Sequence, residues 1–351
     1  MRIIVRVLAI LIGFAANAQN ELPKKFTCQG YGEVYYNYNF ENQSARENPG
    51  FLYNHNKLNQ PSINLAFVKA NYQSKRLRGN VALMAGDYSK YNLSAEPTWA
   101  QPILEANLGV KLANTKNIWL DAGVLPSHIG FESAISADCW TVTRSILAEN
   151  SPYFETGIKL SYTSPSEKWN VAGLVLNGWQ RIQFPSHFKN PAFGFQVNYK
   201  PKANLQLNYS NFIGYNLVEF QPSSRIFHNL YAIYEPTEKW GFTFGFDVGN
   251  ATEADANSGL WFSPISITRY KINRVLKTAF RVEYYRDKNQ LIIPTESHAG
   301  SKIFGASSNL DYQIGKNWLW RLEVKNYVDN SHFFGPTNSN LLAITSLSFK
   351  I

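Results

Sequence analysis

Sixteen stretches of this chain alternate apolar and polar residues with a period of two, and the connections between them alternate in length. The stretches run over 27–40, 62–73, 78–87, 103–113, 117–127, 153–163, 168–181, 191–200, 204–215, 226–235, 238–249, 259–270, 274–286, 303–313, 316–328 and 341–351. Seven short connections lie at 74–77, 114–116, 164–167, 201–203, 236–237, 271–273 and 315. Between them fall eight long ones, at 41–61, 88–102, 128–152, 182–190, 216–225, 250–258, 287–302 and 329–340. A period of two marks strands with two different faces, not helices. A soluble sandwich has no reason to sort its loops by length in this order.

An up-and-down barrel in an outer membrane does, because its periplasmic turns are short and its extracellular loops long. The expected fold is therefore all-β: a transmembrane antiparallel barrel of about sixteen strands, with fourteen or eighteen as the neighbouring counts. An even count returns both termini to the periplasmic side. Hydrocarbon offers no partner to a backbone amide, and a closed sheet leaves none unpaired. Strands of roughly 9–11 tilted residues suffice to cross.

The faces then acquire meanings. From 103 to 112, Leu104, Ala106, Leu108 and Val110 oppose Glu105, Asn107, Gly109 and Lys111. Lys or Arg facing lipid at mid-depth costs about 2–4 kcal/mol, so the charged face belongs inside. The expected lumen wall includes Glu105, Lys111, Asp121, Lys159, Arg281, Glu283, Arg321 and Glu323. Acids and bases balance on the polar faces as a whole, so the count alone sets no ion preference. Trp169, Trp240 and Trp318 each follow a short turn and a Lys or Lys-Asn pair, most clearly in TEKWGFTFGFDVG over 237–249. Indole settles at the headgroup boundary, so these three are expected to form a periplasmic girdle, with Trp179 and Trp261 at the opposite rim.

The chain has 351 residues, 15% aromatic and 17% charged, which excludes a disordered polymer and a helical bundle. Arg2 and Arg6 flank an apolar run over 7–16, followed by Ala16-Asn17-Ala18. This reads as a cleaved secretory leader over 1–18, with one barrel domain over 19–351. The formal charge of +9 would suit nucleic acid, but export argues against that partner. Cys28 and Cys139 could pair after export or stay separate thiols.

The sequence resembles the porin-like outer-membrane barrels common in Bacteroidetes, the OmpL-like β-barrel porins. The likeness is carried by PSINLAFVKANY (61–72), QPILEANLGVKL (101–112), WLDAGVLPSHIGFESAISADCWTVTRSILAENSPYFETGIKLSY (119–162) and LVLNGWQRI (174–182). It implies a Gram-negative outer-membrane location, contact with outer-membrane lipid, delivery by periplasmic chaperones and the barrel-assembly machinery, and a pore for small hydrophilic solutes. Barrels of this kind usually end on an aromatic residue; here Ile351 stands in that place. In sixteen-stranded porins the third long loop folds inward. By position that loop is 128–152, and Glu132, Asp138, Arg144 and Glu149 are expected at the constriction, facing wall bases such as Arg281 and Arg321.

All six histidines lie in or beside long connections, without helix-face or CxxC-like spacing, so no metal site is expected. Ser127-His128 and Ser186-His187 are sequence neighbours, which point apart on a strand and make no dyad. No phosphate loop or dinucleotide motif occurs, and no cofactor or catalytic residue is assigned. The expected function is passive diffusion of small hydrophilic solutes. The alternatives are a non-conducting structural or surface-interaction barrel and an outer-membrane hydrolase.

Overall fold

The computed structural model describes residues 26–186, 188, 190–218, 221–252, 258–295, 299–329, 334 and 338–351. The leader expected over 1–18 lies outside them, as do His187, His298 and His332. The strands are β1 (Phe26–Asn39), β2 (Pro61–Gln73), β3 (Leu77–Ala85), β4 (Ile103–Lys111), β5 (Asn117–Pro126), β6 (Phe154–Thr163), β7 (Trp169–Leu176), β8 (Ala192–Lys202), β9 (Leu205–Val218), β10 (Gln221–Tyr234), β11 (Trp240–Thr252), β12 (Ser258–Lys271), β13 (Leu276–Asp287), β14 (Ser301–Ile314), β15 (Trp318–Asp329) and β16 (Ser339–Lys350). Each pairs antiparallel with its sequence neighbours, and β1 pairs with β16, so the sheet is a closed barrel. Closure runs in register from Tyr31↔Lys350 to Asn39↔Leu342. Ile351 extends it with two backbone hydrogen bonds to Gly30, of 2.9 and 3.0 Å. The count is sixteen, and the fourteen- and eighteen-strand alternatives fall away.

Two elements differ from expectation. The seventh strand ends at Leu176, because the chain leaves the sheet at Gly178 (φ 144°) and Gln180 (φ 51°). The β9–β10 hairpin keeps pairing as far as Val218↔Gln221, through a stretch expected to be loop. Backbone pairing there continues past the end of the apolar alternation, which is the only signal the sequence offered.

β11 shows how the faces are sorted. Phe244 and Phe246 point outward, 54% and 39% exposed, while Thr243 and Asp247 are buried in the bore. The girdle residues at the short-turn rim obey one rule. Trp169, Trp240 and Trp318 open β7, β11 and β15, half exposed, and each ring meets an aromatic directly across the ladder. The pairs are Trp169 with Tyr199 at 4.0 Å, Trp240 with Tyr270 at 4.6 Å and Trp318 with Phe349 at 4.6 Å between ring centroids. Such pairs add about 0.5–1.5 kcal/mol beyond area burial.

The other two tryptophans do not form a second girdle. Trp261 shares the inward face of Ser263 and Ile265 and is 1% exposed; Leu260, one residue earlier, is the outward one. A single step of parity moves a strand residue to the other side of the sheet. Trp179 follows β7 and folds over the mouth onto Phe212 and Phe227, at 5.0 and 4.9 Å. With Phe51, Leu52, Val142 and Ile146 they build an apolar cluster inside the barrel. The lumen is thus partly packed, not uniformly wet. The cysteines are separate thiols, Cys28 exposed and Cys139 buried.

Phe244 sits where charge would meet acyl chains. Phe244→Arg should lower unfolding free energy in lipid vesicles by about 2–4 kcal/mol, whereas Phe244→Leu should cost less than about 1.5 kcal/mol. Denaturant titration monitored by tryptophan fluorescence measures both, and equal effects would contradict the assignment of faces.

Candidate pore constriction

Residues 127–153, between β5 and β6, turn into the bore. They carry a 3-10 turn (Ser136–Asp138) and a short helix, here α2 (Ile146–Glu149); a first helix, α1 (Asp87–Asn92), follows β3. The loop's base is fixed by His128. Its backbone N–H and Nδ1 face the Glu155 carboxylate at 3.2 and 2.7 Å, and Nε2 faces the Asn211 carbonyl at 2.7 Å. Both ring nitrogens meet acceptors, so the imidazolium satisfies both. Burial pulls the His128 pKa down, but Glu155 outweighs it and the net shift is upward. Gly194 gives the ring its passage, since a Cβ there would lie 2.7 Å from it.

From that base the loop crosses to the opposite wall, β13–β15. Arg281 donates to Thr141 Oγ1 at 3.0 Å, to the Thr143 carbonyl at 2.9 Å and to Glu323 at 2.8 Å. Glu323 accepts in turn from the Thr143 N–H at 2.7 Å. Arg321 grips Asp311 through two bonds of 2.7 and 3.1 Å and donates to the carbonyls of Ser136 (2.7 Å), Cys139 (3.0 Å) and Thr141 (3.2 Å). Lys325 joins Glu283 at 2.8 Å, and Glu283 accepts the Ile146 N–H at 2.6 Å. Irregular backbone carried into a bore must find partners, and fixed guanidinium forks supply several at once.

The loop's aromatics are seated by glycine. On the inward face of β11, Gly241 lies under Trp140, Gly245 under Phe131 and Gly249 under Trp261; a Cβ at each would come within 2.8, 2.8 and 2.1 Å of the covering ring. The alternate glycines of the 237–249 stretch therefore make a smooth track, while its outward phenylalanines face the other way. Near the short-turn rim, Asp138 pairs with Lys350 at 2.7 Å, and Trp140 lies under the Arg269 guanidinium at 4.2 Å. Space remains on both sides of the loop. A cavity of ≈ 270 Å³ lies between its first limb and β4–β6, lined by Glu105, Phe131, Glu132 and Tyr153. A smaller one of ≈ 90 Å³ lies between Trp140 and the wall at Ile233, Thr243 and Ile267.

Of the four residues expected to project into the constriction, Glu132 reaches wall base Arg281 directly, at 3.7 Å, and also holds Ser145. Asp138 is at the tip. Arg144 and Glu149 need correction. Arg144 turns back into its own loop and donates to the carbonyls of Ser133, Val142 and Ala134 at 2.5, 2.8 and 3.2 Å. Glu149 makes no ion pair with a wall base; it accepts the Tyr53 and Asn54 backbone N–H groups, at 2.9 and 3.2 Å, clamping the β1–β2 loop. Both are buried because folding the loop compactly demands internal partners. Of the loop acids, Glu132 alone meets one of the two expected wall bases, Arg281; Arg321 meets loop carbonyls instead.

The wall residues Glu105, Asp121, Lys159, Arg281, Glu283, Arg321 and Glu323 lie on the inward faces of β4, β5, β6, β13 and β15, and Lys111 ends β4 on the same face as Gly109. Glu105 holds Lys69 at 2.6 Å, and Asp121 holds Arg78 at 2.6 and 2.5 Å. The sequence reading missed Thr141, Thr143, Phe131, Trp140 and Gly194. Glycines spaced by four on the inward face of β11 were the available signal for covering aromatics.

A closed sixteen-stranded barrel with a lipid-facing apolar band and a loop folded into its bore defines an outer-membrane porin-like protein. The chain belongs to the family described as putative beta-barrel porin-2, OmpL-like, which matches residues 25–351. No curated protein matches it in sequence. Its fold is similar to an anion-selective porin from Comamonas acidovorans, at 9% identity over 93% of this chain and 99% of that one, with a TM-score of 0.61. It is also similar to the outer membrane channel DcaP of Acinetobacter baumannii (10% identity, 93% and 97% covered, TM-score 0.61) and to Salmonella typhi OmpF solved with daunomycin (11%, 93% and 97%, 0.58).

Burial pushes the Glu149 carboxyl up from 4.5 to about 7. A raised folded pKa means that its stabilisation is complete below about pH 4.5 and is lost as pH rises through about 7; raised His128 acts in the same direction. Local opening that returns Glu149 to water should therefore cost more at pH 5 than at pH 8, because burial outweighs the two N–H bonds, which favour the carboxylate. Amide exchange at these residues, corrected for the chemical rate, should slow in acid, and Glu149→Gln should remove the difference. Separately, Arg321→Met leaves Asp311 and three loop carbonyls without their cation. It should destabilise the protein by about 3–5 kcal/mol in denaturant unfolding, and a loss under 1 kcal/mol would contradict the bracing role.

Proposed function

We propose that this outer-membrane protein is a narrow channel for small hydrophilic solutes, with residues 127–153 as its constriction. The observation that carries the reading is the bonding of that loop to Arg281, Arg321 and Glu323 on the far wall. A loop tied at both ends across a bore divides it, so solutes pass through the space beside it. On this reading the leader 1–18 is removed on export, and periplasmic chaperones and the barrel-assembly machinery deliver the chain. The site carries no reaction, and no cofactor or metal takes part.

A second reading, a barrel that does not conduct, is favoured by one observation: the apolar packing of Phe51, Leu52, Ile146 and Trp261 inside the barrel. Single-channel recording in planar bilayers separates the two. The channel reading expects small, regular current steps from the wild type and several-fold larger steps after deletion of 133–145. Unchanged conductance in the deletion would remove the constriction, and folded wild-type protein with no steps would establish the second reading.

A further inference from the structure

The acids of the inward faces are held by partners, and not every base is. Glu105 holds Lys69, Glu155 holds His128, Glu283 holds Lys325 and Glu323 holds Arg281. The buried carboxylates of Glu33 and Asp247 accept from Asn64 and Asn229 at 3.0 and 2.5 Å. Two further acids tell the most. Asp121 lies opposite Lys159 in the β5–β6 register, yet both its oxygens are taken by Arg78 from two strands away. Asp311 lies between two register partners, Lys277 in the β13–β14 ladder and Arg321 in the β14–β15 ladder, and both its oxygens are taken by Arg321. In each case an arginine fork captures the carboxylate and leaves the register lysine over. Among the described residues Lys159, Lys277 and Lys111 have no ion pair.

These three lysines share a location as well as a sign. Lys111 ends β4, Lys159 lies in the lower half of β6 and Lys277 is the second residue of β13, so all are in the short-turn half of the bore. Lys111 and Lys159 stand two strands apart, on β4 and β6, and Lys277 stands across the ring on β13. The short turns beneath them add the same sign through Lys75, Arg76, Lys116 and Lys316. A narrow, low-dielectric mouth lined by unneutralised charge of one sign concentrates ions of the other.

We infer that the bore selects small anions, with Lys159 and Lys277 as the specificity-determining residues and solutes bearing carboxylate or phosphate as the substrate class. The inference rests on the channel reading above. The paired arginines brace the loop, while the unpaired lysines remain available to a passing solute.

The test is the reversal potential of the full-length protein in planar bilayers under a potassium chloride gradient. The wild type should prefer chloride over potassium several-fold, and the preference should weaken as ionic strength rises, because salt screens wall charge. Lys159→Gln with Lys277→Gln should bring the ratio toward unity, and Lys159→Glu with Lys277→Glu should invert it. Lys302→Gln, exposed near the long-loop rim, should leave it unchanged. Heat-modifiable gel mobility of each variant checks that the barrel has folded. A cation-preferring wild type, or a chloride preference that survives both double variants, overturns the inference while the channel reading stands. Absence of any current from folded protein overturns the channel reading and the inference together.

Discussion

The structure depends on one requirement: no backbone amide is left without a partner in hydrocarbon, where each orphan costs several kcal/mol. The β1–β16 ladder meets it by joining the first and last strands, so every strand has two neighbours. The Gly30–Ile351 bonds carry the seam to the final residue. Closure also separates an inside from an outside. Once it exists, the period of two in each strand sends phenylalanines to lipid and charge to the bore, and nothing else in the chain needs to specify that division.

The interior then faces the opposite difficulty, too much polarity in too little water. Residues 127–153 bring their own unsatisfied amides and carbonyls into a space lined by charge. The two needs offset each other. Arg321 donates to three loop carbonyls while gripping Asp311, and Glu323 accepts the Thr143 amide while pairing with Arg281. Separately, the wall charges would be costly in a dry interior and the loop's backbone would be too. Together they form a cross-brace, and removing either side exposes the other.

The fold was legible because it is written in a signal of length ten or more per strand, repeated sixteen times, with turn and loop lengths as a second witness. The outward placing of Trp169, Trp240 and Trp318 at the short-turn rim was legible for the same reason: they repeat one local pattern. Trp261 and Trp179 were not legible. For Trp261 the decision rests on one step of parity near a strand end, and for Trp179 on where β7 stops, which two positive-φ residues decide. The site was legible only as a position. That the loop enters the bore followed from strand order, but its bonds join residues more than a hundred positions apart, such as Thr143 with Glu323, and no local pattern encodes those. Arg144 and Glu149 are charged, and charge alone does not say whether a side chain faces a solute or holds its own loop together.

Arginine and lysine divide the work of the bore because of their chemistry. A guanidinium is planar and offers five donors in a fixed fork, so it can hold a carboxylate with one edge and backbone carbonyls with the other. Arg281 and Arg321 do this, and Arg78 holds Asp121 with its fork alone; the charge of all three is spent within the wall. An ammonium is a compact, well-hydrated point charge on a flexible stem, and it loses the competition for a carboxylate that a fork can reach. Lys159 loses Asp121 to Arg78 although the register places the lysine opposite that acid, and Lys277 loses Asp311 to Arg321, which faces the acid from the other neighbouring strand. Pairing thus decides which cation is left over in the mouth, and replacing Arg321 by lysine would weaken the brace while leaving the net charge there unchanged.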